Sequence, residues 1–244
     1  MTVPENQEPS FSAPPQIITC DGMLFDMDGT IIDSTEAVIK NWHNIGKEIG
    51  VDPEIILATS HGRRTIDVLK IYEPKLANWD YIGENEAQIP KKYGADAVEI
   101  PGSRAFLEKL EEQYIPWAIV TSGSRPLVTG WLDVMKLAHP KNLVTAEDVE
   151  NGKPDPACYL LGRKKLALAN EEPSMVVFED APAGVRSGKA AGFPVIALHT
   201  SHTLDQLKEA GADIIVRDMR SVSLKAWDKA TGKAQLEVRD ALVW

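Results

Sequence analysis

The feature that most constrains the fold of this chain is an alternation of short apolar runs with longer helical patterns. The strand-like runs lie at residues 22–25, 117–121, 143–145, 175–178, 195–198 and 214–216, and helical patterns at 125–137, 156–168, 182–191 and 204–210 lie between most of them. Short apolar strands that alternate with helices are typical of a parallel sheet covered on both faces. We therefore predict an α/β fold with a doubly wound parallel sheet, a Rossmann-like core.

One section breaks this alternation. Residues 35–99 show helical patterns at 36–49, 53–58, 65–71 and 84–90 and no convincing strand, which predicts an α-helical cap domain inserted after the first strand. Asp33 with Glu36 has the spacing of a capping box, Gly50 is placed to end that helix, and Ser124 is placed to cap the helix that follows it. The predicted core comprises residues 17–34 and 100–244, with a small hairpin at 224–227 and 236–238, and residues 1–16 are predicted to be a disordered tail.

The acidic composition limits the partners of this chain. Its 244 residues carry a formal charge of −10, which argues against nucleic acid and anionic membranes. No run approaches the roughly 18 apolar residues of a membrane span, and the first residues lack the basic and apolar regions of a signal peptide. Cys20 and Cys158 fit no metal or disulfide motif and are expected to be buried thiols. We expect a cytoplasmic monomer that acts on a small molecule.

Polar residues follow four of the predicted strands. Asp26 and Asp28 follow the first strand, Ser122 and Gly123 follow the second, Lys153 lies in the loop after the third, and Glu179 and Asp180 follow the fourth. Ligands of open parallel sheets bind at the carboxyl ends of the strands, so these side chains are expected to converge. Carboxylates without His or Cys suit Mg²⁺, and a lysine with a hydroxyl beside a Ser-Gly turn suits a phosphate.

This combination indicates phosphoryl transfer. One of the two paired aspartates can attack phosphorus and form an acyl phosphate, while the other protonates the leaving oxygen and later activates water. Mg²⁺ would offset the repulsion between the carboxylates and shield the charge of the phosphoryl group.

The stretches FDMDGT, VTSGS, GKPDP and VFEDAPAG, in this order, resemble the four motifs of the haloacid dehalogenase-like hydrolase superfamily. The resemblance covers nearly the whole chain after the tail. It implies that Asp26 is the nucleophile and Asp28 the acid/base, with the backbone carbonyl of Asp28 on Mg²⁺. It further implies that Ser122, with Gly123, holds the phosphoryl group and that Lys153 neutralises it. Asp180, with Glu179, would complete the metal site; an alternative is that Glu179 supports the site without touching the metal.

A closer resemblance, carried by SHGRRTIDVLK, IPKKYG, WAIVTSGSR and GADIIV, is to the yeast-type glycerol-phosphate phosphatases and their 2-deoxyglucose-6-phosphate phosphatase relatives. It implies a phosphatase for small polyol or sugar phosphates, with glycerol phosphate favoured. His61 and Arg64 on the cap are expected to bind substrate hydroxyls, although both could be merely solvated. A sugar phosphomutase is the nearest alternative. A dehalogenase fits less well, because it has no need of Asp28. A phospho-accepting signalling module also fits less well, because it would be about half this length.

Overall fold

The computed structural model describes residues 10–60, 62–169 and 171–244. Its strands are β1 (Phe11–Ala13), β2 (Gln16–Cys20), β3 (Gly22–Phe25), β4 (Ile32–Asp33), β5 (Val98–Glu99), β6 (Trp117–Val120), β7 (Leu143–Val144), β8 (Met175–Glu179), β9 (Val195–Leu198), β10 (Ile214–Val216), β11 (Val222–Asp228), β12 (Lys233–Val238) and β13 (Ala241–Leu242). Its α-helices are α1 (Thr35–Ile49), α2 (Pro53–Ser60), α3 (Thr65–Tyr72), α4 (Trp79–Glu86), α5 (Gln88–Tyr93), α6 (Ser103–Glu112), α7 (Arg125–Met135), α8 (Ala157–Lys165), α9 (Pro182–Ala190) and α10 (Leu204–Glu209).

The centre of the fold is a six-stranded parallel sheet. Its strand order is β10-β9-β8-β3-β6-β7, and every neighbouring pair is parallel. Chain order reverses direction at β3, so the loops after β3, β6 and β8 meet at the centre of one edge. This is the doubly wound arrangement that the sequence predicts, and it places the site.

Both faces of this sheet are buried. Side chains alternate across a strand, so Met23 and Phe25 of β3 enter one apolar cluster and Leu24 enters another. The first cluster is completed by α6 and α7, and the second by α8, α9 and α10 (Phe106, Leu110 and Trp131; Tyr159, Val185 and Leu207). Burying a large apolar side chain stabilises the fold by roughly 1.5–3 kcal/mol, which explains why the strands read as continuous apolar runs.

Helices α1–α5 form an insertion between β4 and β5 with an apolar cluster of their own, which includes Trp42, Ile45, Ile56, Leu69 and Ile82. The two connections between these helices and the core are β4 and β5, which pair with each other as antiparallel strands. The expectation of no strand within residues 35–99 is thus wrong at its end, where Val98 and Glu99 form β5. A two-residue strand is too short to produce a recognisable pattern in the sequence.

The helix caps differ in part from the prediction. Gly50 ends α1 in the left-handed conformation, as expected. The residue before α1 is Ser34 and not Asp33, and the Ser34 hydroxyl donates to Asp28 instead of capping the helix. Ser124 does precede α7, but its side chain makes no capping hydrogen bond.

The hairpin near the C-terminus is confirmed as β11 and β12, and β2 adds a third antiparallel strand to it. The prediction of a disordered tail over residues 1–16 is wrong for its second part. Phe11–Ala13 pairs with Ala241–Leu242, and the Phe11 ring stacks on His199 and lies under the Arg217 guanidinium. Residues 1–9 lie outside the described part of the chain.

Two further expectations concern the thiols and the membrane. Cys20 and Cys158 are both buried and free, as predicted. Among the described residues, no helix combines the length and the apolar character needed to cross a membrane.

Candidate active site

At the carboxyl edge of the central sheet, three of the predicted site residues lie close to Lys153. Asp26 follows β3 directly, Glu179 ends β8, and Asp180 follows it. The Lys153 ammonium donates to Asp26 Oδ1 at 2.5 Å and to Glu179 Oε1 at 2.6 Å, and both ion pairs are buried. The predicted convergence of β3, β8 and the loop containing Lys153 is therefore present in the structure.

The acidic groups at this edge fit a divalent cation. Carboxylate oxygens of Asp26, Glu179 and Asp180 lie within 4.8 Å of one another, and all three side chains are buried. When all three carboxylates are ionised, as metal binding requires, they leave an excess of two negative charges over the one ammonium. An all-oxygen donor set with this excess suits Mg²⁺ better than Zn²⁺.

Burial dominates the electrostatics of these groups. It raises the pKa of Asp26 to about 8, and Glu179 and Asp28 add to the rise while Lys153 opposes it. The pKa of Asp180 is raised for the same primary reason. Burial alone would lower the pKa of Lys153, but the carboxylates of Asp26 and Glu179 outweigh that effect and raise it. Lys153 is therefore held as a cation in the middle of the acidic group.

Glu179 has all its acceptor positions occupied by the protein. Oε1 accepts from Lys153 and from the Tyr159 hydroxyl, and Oε2 accepts from the backbone N–H groups of Asp180 and Ala181. A carboxylate offers about four such positions. A Cβ on Gly184 would lie 1.6 Å from Glu179 Oε1, so only glycine leaves room for this carboxylate. These contacts hold Glu179 against Lys153 and favour the alternative in which Glu179 supports the site without touching the metal.

Asp28 lies apart from the group of three carboxylates. Its side chain is half-buried, accepts a hydrogen bond of 2.5 Å from the Ser34 hydroxyl, and lines an adjacent cavity together with Asp26. The turn after Asp28 depends on Gly29, which has a φ of 86° and at which an added Cβ would lie 2.1 Å from Asp180 Oδ2. Asp26 and Asp28 therefore line the same cavity, although only Asp26 belongs to the group of three carboxylates.

Ser122 and Gly123 follow β6 and also line the cavity. The Ser122 hydroxyl donates to the carbonyl of Gly62 at 3.0 Å, and the Gly123 N–H donates to Thr121 Oγ1. Ser122 thus joins the sheet edge to the segment that connects α2 and α3.

The cavity between the sheet edge and the inserted helices has a volume of about 90 Å³. Its helical side presents a set of polar residues that the sequence analysis did not single out as ligands, together with the indole of Trp42 (Ser34, Asn41, Ser60, Arg63, Thr65 and Glu86). The only signal for them in the sequence is that polar residues interrupt helical patterns, which is also true of ordinary solvated faces.

Arg64 is not brought to this cavity, so the prediction that it binds substrate is wrong for this arrangement. All five of its N–H donors are already used: two by Asp67 and three by the carbonyls of Ala146, Val149 and Glu150. Its neighbour Arg63 lines the cavity instead. His61, the other predicted cap ligand, lies outside the described residues.

Tyr159 is a further residue that the sequence analysis missed. Its hydroxyl donates to Glu179 at 2.7 Å, and its ring lies 5.2 Å from the Lys153 ammonium. It sits on α8 within an otherwise ordinary apolar face, so only the structure reveals that it helps to position Lys153.

The motifs and the geometry agree with comparisons to known proteins. The chain is 38% identical over 237 residues to glycerol-1-phosphate phosphohydrolase 1 of Saccharomyces cerevisiae, covering 93% of this chain and 94% of that protein. It is 39% identical over 223 residues to 2-deoxyglucose-6-phosphate phosphatase 1 of the same organism, covering 84% and 91%.

A solved structure and a family model extend these similarities. The fold is similar to that of a hydrolase from Pseudomonas syringae, with a TM-score of 0.69 and 25% identity over 81% of this chain and 94% of that one. Residues 23–198, which include the four motifs and the inserted helices, match the family model described as haloacid dehalogenase-like hydrolase. The chain belongs to the haloacid dehalogenase-like hydrolase family.

Proposed function

We propose that this protein is a Mg²⁺-dependent phosphatase that hydrolyses phosphate monoesters of small polyols or sugars through an aspartyl-phosphate intermediate. The observation that carries the proposal is the position of Asp26. It lies in a buried group of three carboxylates, contacts Lys153 at 2.5 Å and reaches the cavity that Asp28 and Ser122 also line. A carboxylate nucleophile, an acid/base and a phosphate-binding turn are thus proposed for one site.

In the first step, an oxygen of Asp26 bonds to phosphorus and the ester P–O bond breaks. Asp28 gives its proton to the departing alkoxide, so that the alcohol leaves neutral. In the second step, water attacks the phosphorus of the aspartyl phosphate and Asp28 takes the proton of that water. The bond to Asp26 breaks, and inorganic phosphate leaves.

The surrounding residues hold charge in place during both steps. Lys153 offsets the negative charge on Asp26 and on the phosphoryl group, and Tyr159 and Glu179 hold Lys153. Ser122 and Gly123 are proposed to bind the phosphoryl oxygens. Asp26, Asp180 and the backbone carbonyl of Asp28 would hold Mg²⁺, with Glu179 acting through Lys153. Bound Mg²⁺ supplies positive charge that shields the phosphoryl group from the attacking carboxylate.

We propose that helices α1–α5 are a cap, with residues 35–99 as the cap domain and residues 17–34 and 100–244 as the core. The cavity between them favours a small ester. Its volume of about 90 Å³ suits glycerol phosphate better than the larger 2-deoxyglucose 6-phosphate. The names of the two yeast relatives support both substrates and favour a phosphatase over a phosphomutase.

The proposal is tested by incubating the purified protein with glycerol phosphate, 2-deoxyglucose 6-phosphate and p-nitrophenyl phosphate and measuring free phosphate. We expect release with Mg²⁺, none after EDTA, and recovery when Mg²⁺ is restored. Ca²⁺ should not restore release, because a larger ion with more oxygen ligands holds the nucleophile in a non-attacking pose. Accumulation of an isomerised sugar phosphate without free phosphate would instead identify a phosphomutase. The monomeric state and the cytoplasmic location stay predictions.

A further inference from the structure

A buried carboxylate on the helical wall of the cavity has no part in the chemistry proposed above. Glu86 ends α4, is 3% exposed and lines the cavity. The Thr65 hydroxyl donates to its Oε1 at 2.5 Å, and the Ser124 N–H donates to its Oε2 at 2.8 Å. About two of the four acceptor positions of this carboxylate remain for other donors.

The charge of Glu86 is not needed for these two contacts. A glutamine could accept from the Ser124 N–H through its amide oxygen and donate from its amide nitrogen to Thr65 Oγ1. A buried charge is costly, and burial raises the pKa of Glu86 although the bonds from Ser124 and Thr65 oppose the rise. An ionisable group kept at this cost in a ligand cavity is typical of a functional position.

The charges around the cavity define what such a group would select. Asp26, Asp28 and Glu86 contribute three carboxylates to the lining, and Arg63 is the one Lys or Arg among the described lining residues. The phosphoryl group of a substrate is directed to the Asp26 side by Lys153 and the proposed Mg²⁺. The rest of the substrate then faces a wall on which the Glu86 carboxylate would repel a second anion, with Arg63 as the one opposing cation among the described lining residues, whereas hydroxyl groups would find an acceptor.

We propose that Glu86 is the specificity-determining residue of this cavity: it accepts hydrogen bonds from hydroxyl groups of the alcohol part of the ester and repels esters that carry a second anionic group. The inference rests on the proposed function and makes it narrower. The preferred substrates are neutral, hydroxylated alcohols bearing one phosphate. Esters of hydroxy acids and bisphosphates are rejected by charge, even where they fit by size.

The test compares three esters: glycerol 1-phosphate, phosphoglycolate and p-nitrophenyl phosphate. The first two are similar in size and differ in carrying hydroxyls or a carboxylate, and the third has neither. Glu86→Gln should lower kcat/KM for glycerol 1-phosphate about ten- to hundredfold, mainly through KM, since a hydrogen bond to a charged group is lost. It should raise kcat/KM for phosphoglycolate severalfold and leave p-nitrophenyl phosphate nearly unchanged.

Two further variants serve as controls. Glu84→Gln removes the same charge from an exposed position on α4 and should leave all three values unchanged. Glu86→Asp keeps the charge but shortens the reach, so it should still reject phosphoglycolate while losing activity on glycerol 1-phosphate. If Glu86→Gln does not fold, the activity of Glu86→Asp on glycerol 1-phosphate and on phosphoglycolate tests the inference instead.

The outcomes separate this inference from the proposed function. Equal losses of kcat/KM on all three esters would mean that Glu86 only holds Ser124 and Thr65. Unchanged kcat/KM values on all three would mean that it does not contact the substrate. Either result would overturn the inference about Glu86 without contradicting the proposed phosphatase function. If the wild-type protein released phosphate from none of the three esters, the proposed function would fail and the inference with it.

Discussion

The two walls of the cavity use their buried polar groups in different ways. At the sheet edge, Asp26, Lys153 and Glu179 bond chiefly to one another and to the backbone of the core. On the helical side, the buried charges reach across to the core: Arg64 to the segment 146–150, and Glu86 to Ser124. The buried ion pairs at the sheet edge therefore form without a partner from α1–α5. On the helical side, Arg64 holds the inserted helices to the core, Arg63 lines the cavity, and Glu86 does both.

The largest effect is expected for Asp26 at the sheet edge. Asp26→Asn should lower turnover by roughly 10⁴-fold or more, because an amide is too weak a nucleophile. The thermal midpoint should change little, since Lys153 keeps its pairing with Glu179. Phosphate release and thermal unfolding measure the two quantities. Retention of a tenth of the wild-type rate would rule out Asp26 as nucleophile.

Asp28 reaches the same cavity and should give the next largest effect. Asp28→Asn should cost roughly 10²–10⁴-fold on glycerol phosphate, the usual contribution of general acid/base catalysis. The loss should be smaller for p-nitrophenyl phosphate, whose leaving group departs without a proton. Steady-state rates on both esters make the comparison, and an equal loss on the two would argue against a role in protonating the leaving group.

Arg64 tests the helical wall. Arg64→Ala removes a buried guanidinium, leaves three carbonyls without this donor and leaves Asp67 with Lys70 as its remaining cation, so the free energy of unfolding should fall by about 3–5 kcal/mol. At temperatures where the variant is folded, kcat/KM should fall by the same factor for every ester. Urea unfolding and ester kinetics measure these effects.

The matched control is Lys70→Ala. Lys70 contacts the same Asp67 at 3.4 Å but is 57% exposed, so it should change the free energy of unfolding by no more than about 1 kcal/mol. A loss on Arg64→Ala confined to glycerol phosphate would return Arg64 to the role of substrate ligand and weaken the contrast between the walls.

The smallest effect is expected for Tyr159, which lies behind the sheet edge. Tyr159→Phe removes one hydrogen bond to Glu179 and should lower kcat up to about tenfold on all esters with KM unchanged. Tyr114→Phe, at a side chain that is 86% exposed, is the control and should have no effect. A change in KM alone would place Tyr159 in substrate binding rather than in positioning Lys153.

The difference between the walls also explains what the sequence could predict. Asp26, Asp28, Ser122, Lys153 and Asp180 follow strands of a parallel sheet, and strand order forces the ends of those strands together. Each was therefore identifiable from its place after an apolar run or, for Lys153, in the loop that follows one. The central sheet was predicted from the alternation of short apolar strands with helices.

The helical wall has no comparable rule. Arg63 and Arg64 are adjacent in the chain, yet one lines the cavity and the other is buried against the core. Arg64 is buried because it reaches the carbonyls of Ala146, Val149 and Glu150, and these contacts join residues more than eighty positions apart in the chain. Glu86 and Tyr159 were missed for the same reason. The strand Phe11–Ala13 was missed because its partner lies more than two hundred residues away.

The β4–β5 ribbon has a consequence for how a ligand reaches Asp26. Both connections between the core and α1–α5 run through it, and Ile32 pairs with Glu99 while Asp33 pairs with Val98. Two connections that are bonded to each other cannot stretch or slide separately. Any rotation of α1–α5 relative to the core would therefore have to turn about this ribbon, which lies beside Asp28 through the bridge from Asp28 to Ile32. Such a rotation would have to break the contacts of Arg64 and Glu86 with the core, whereas the pairing of β4 with β5 could stay intact.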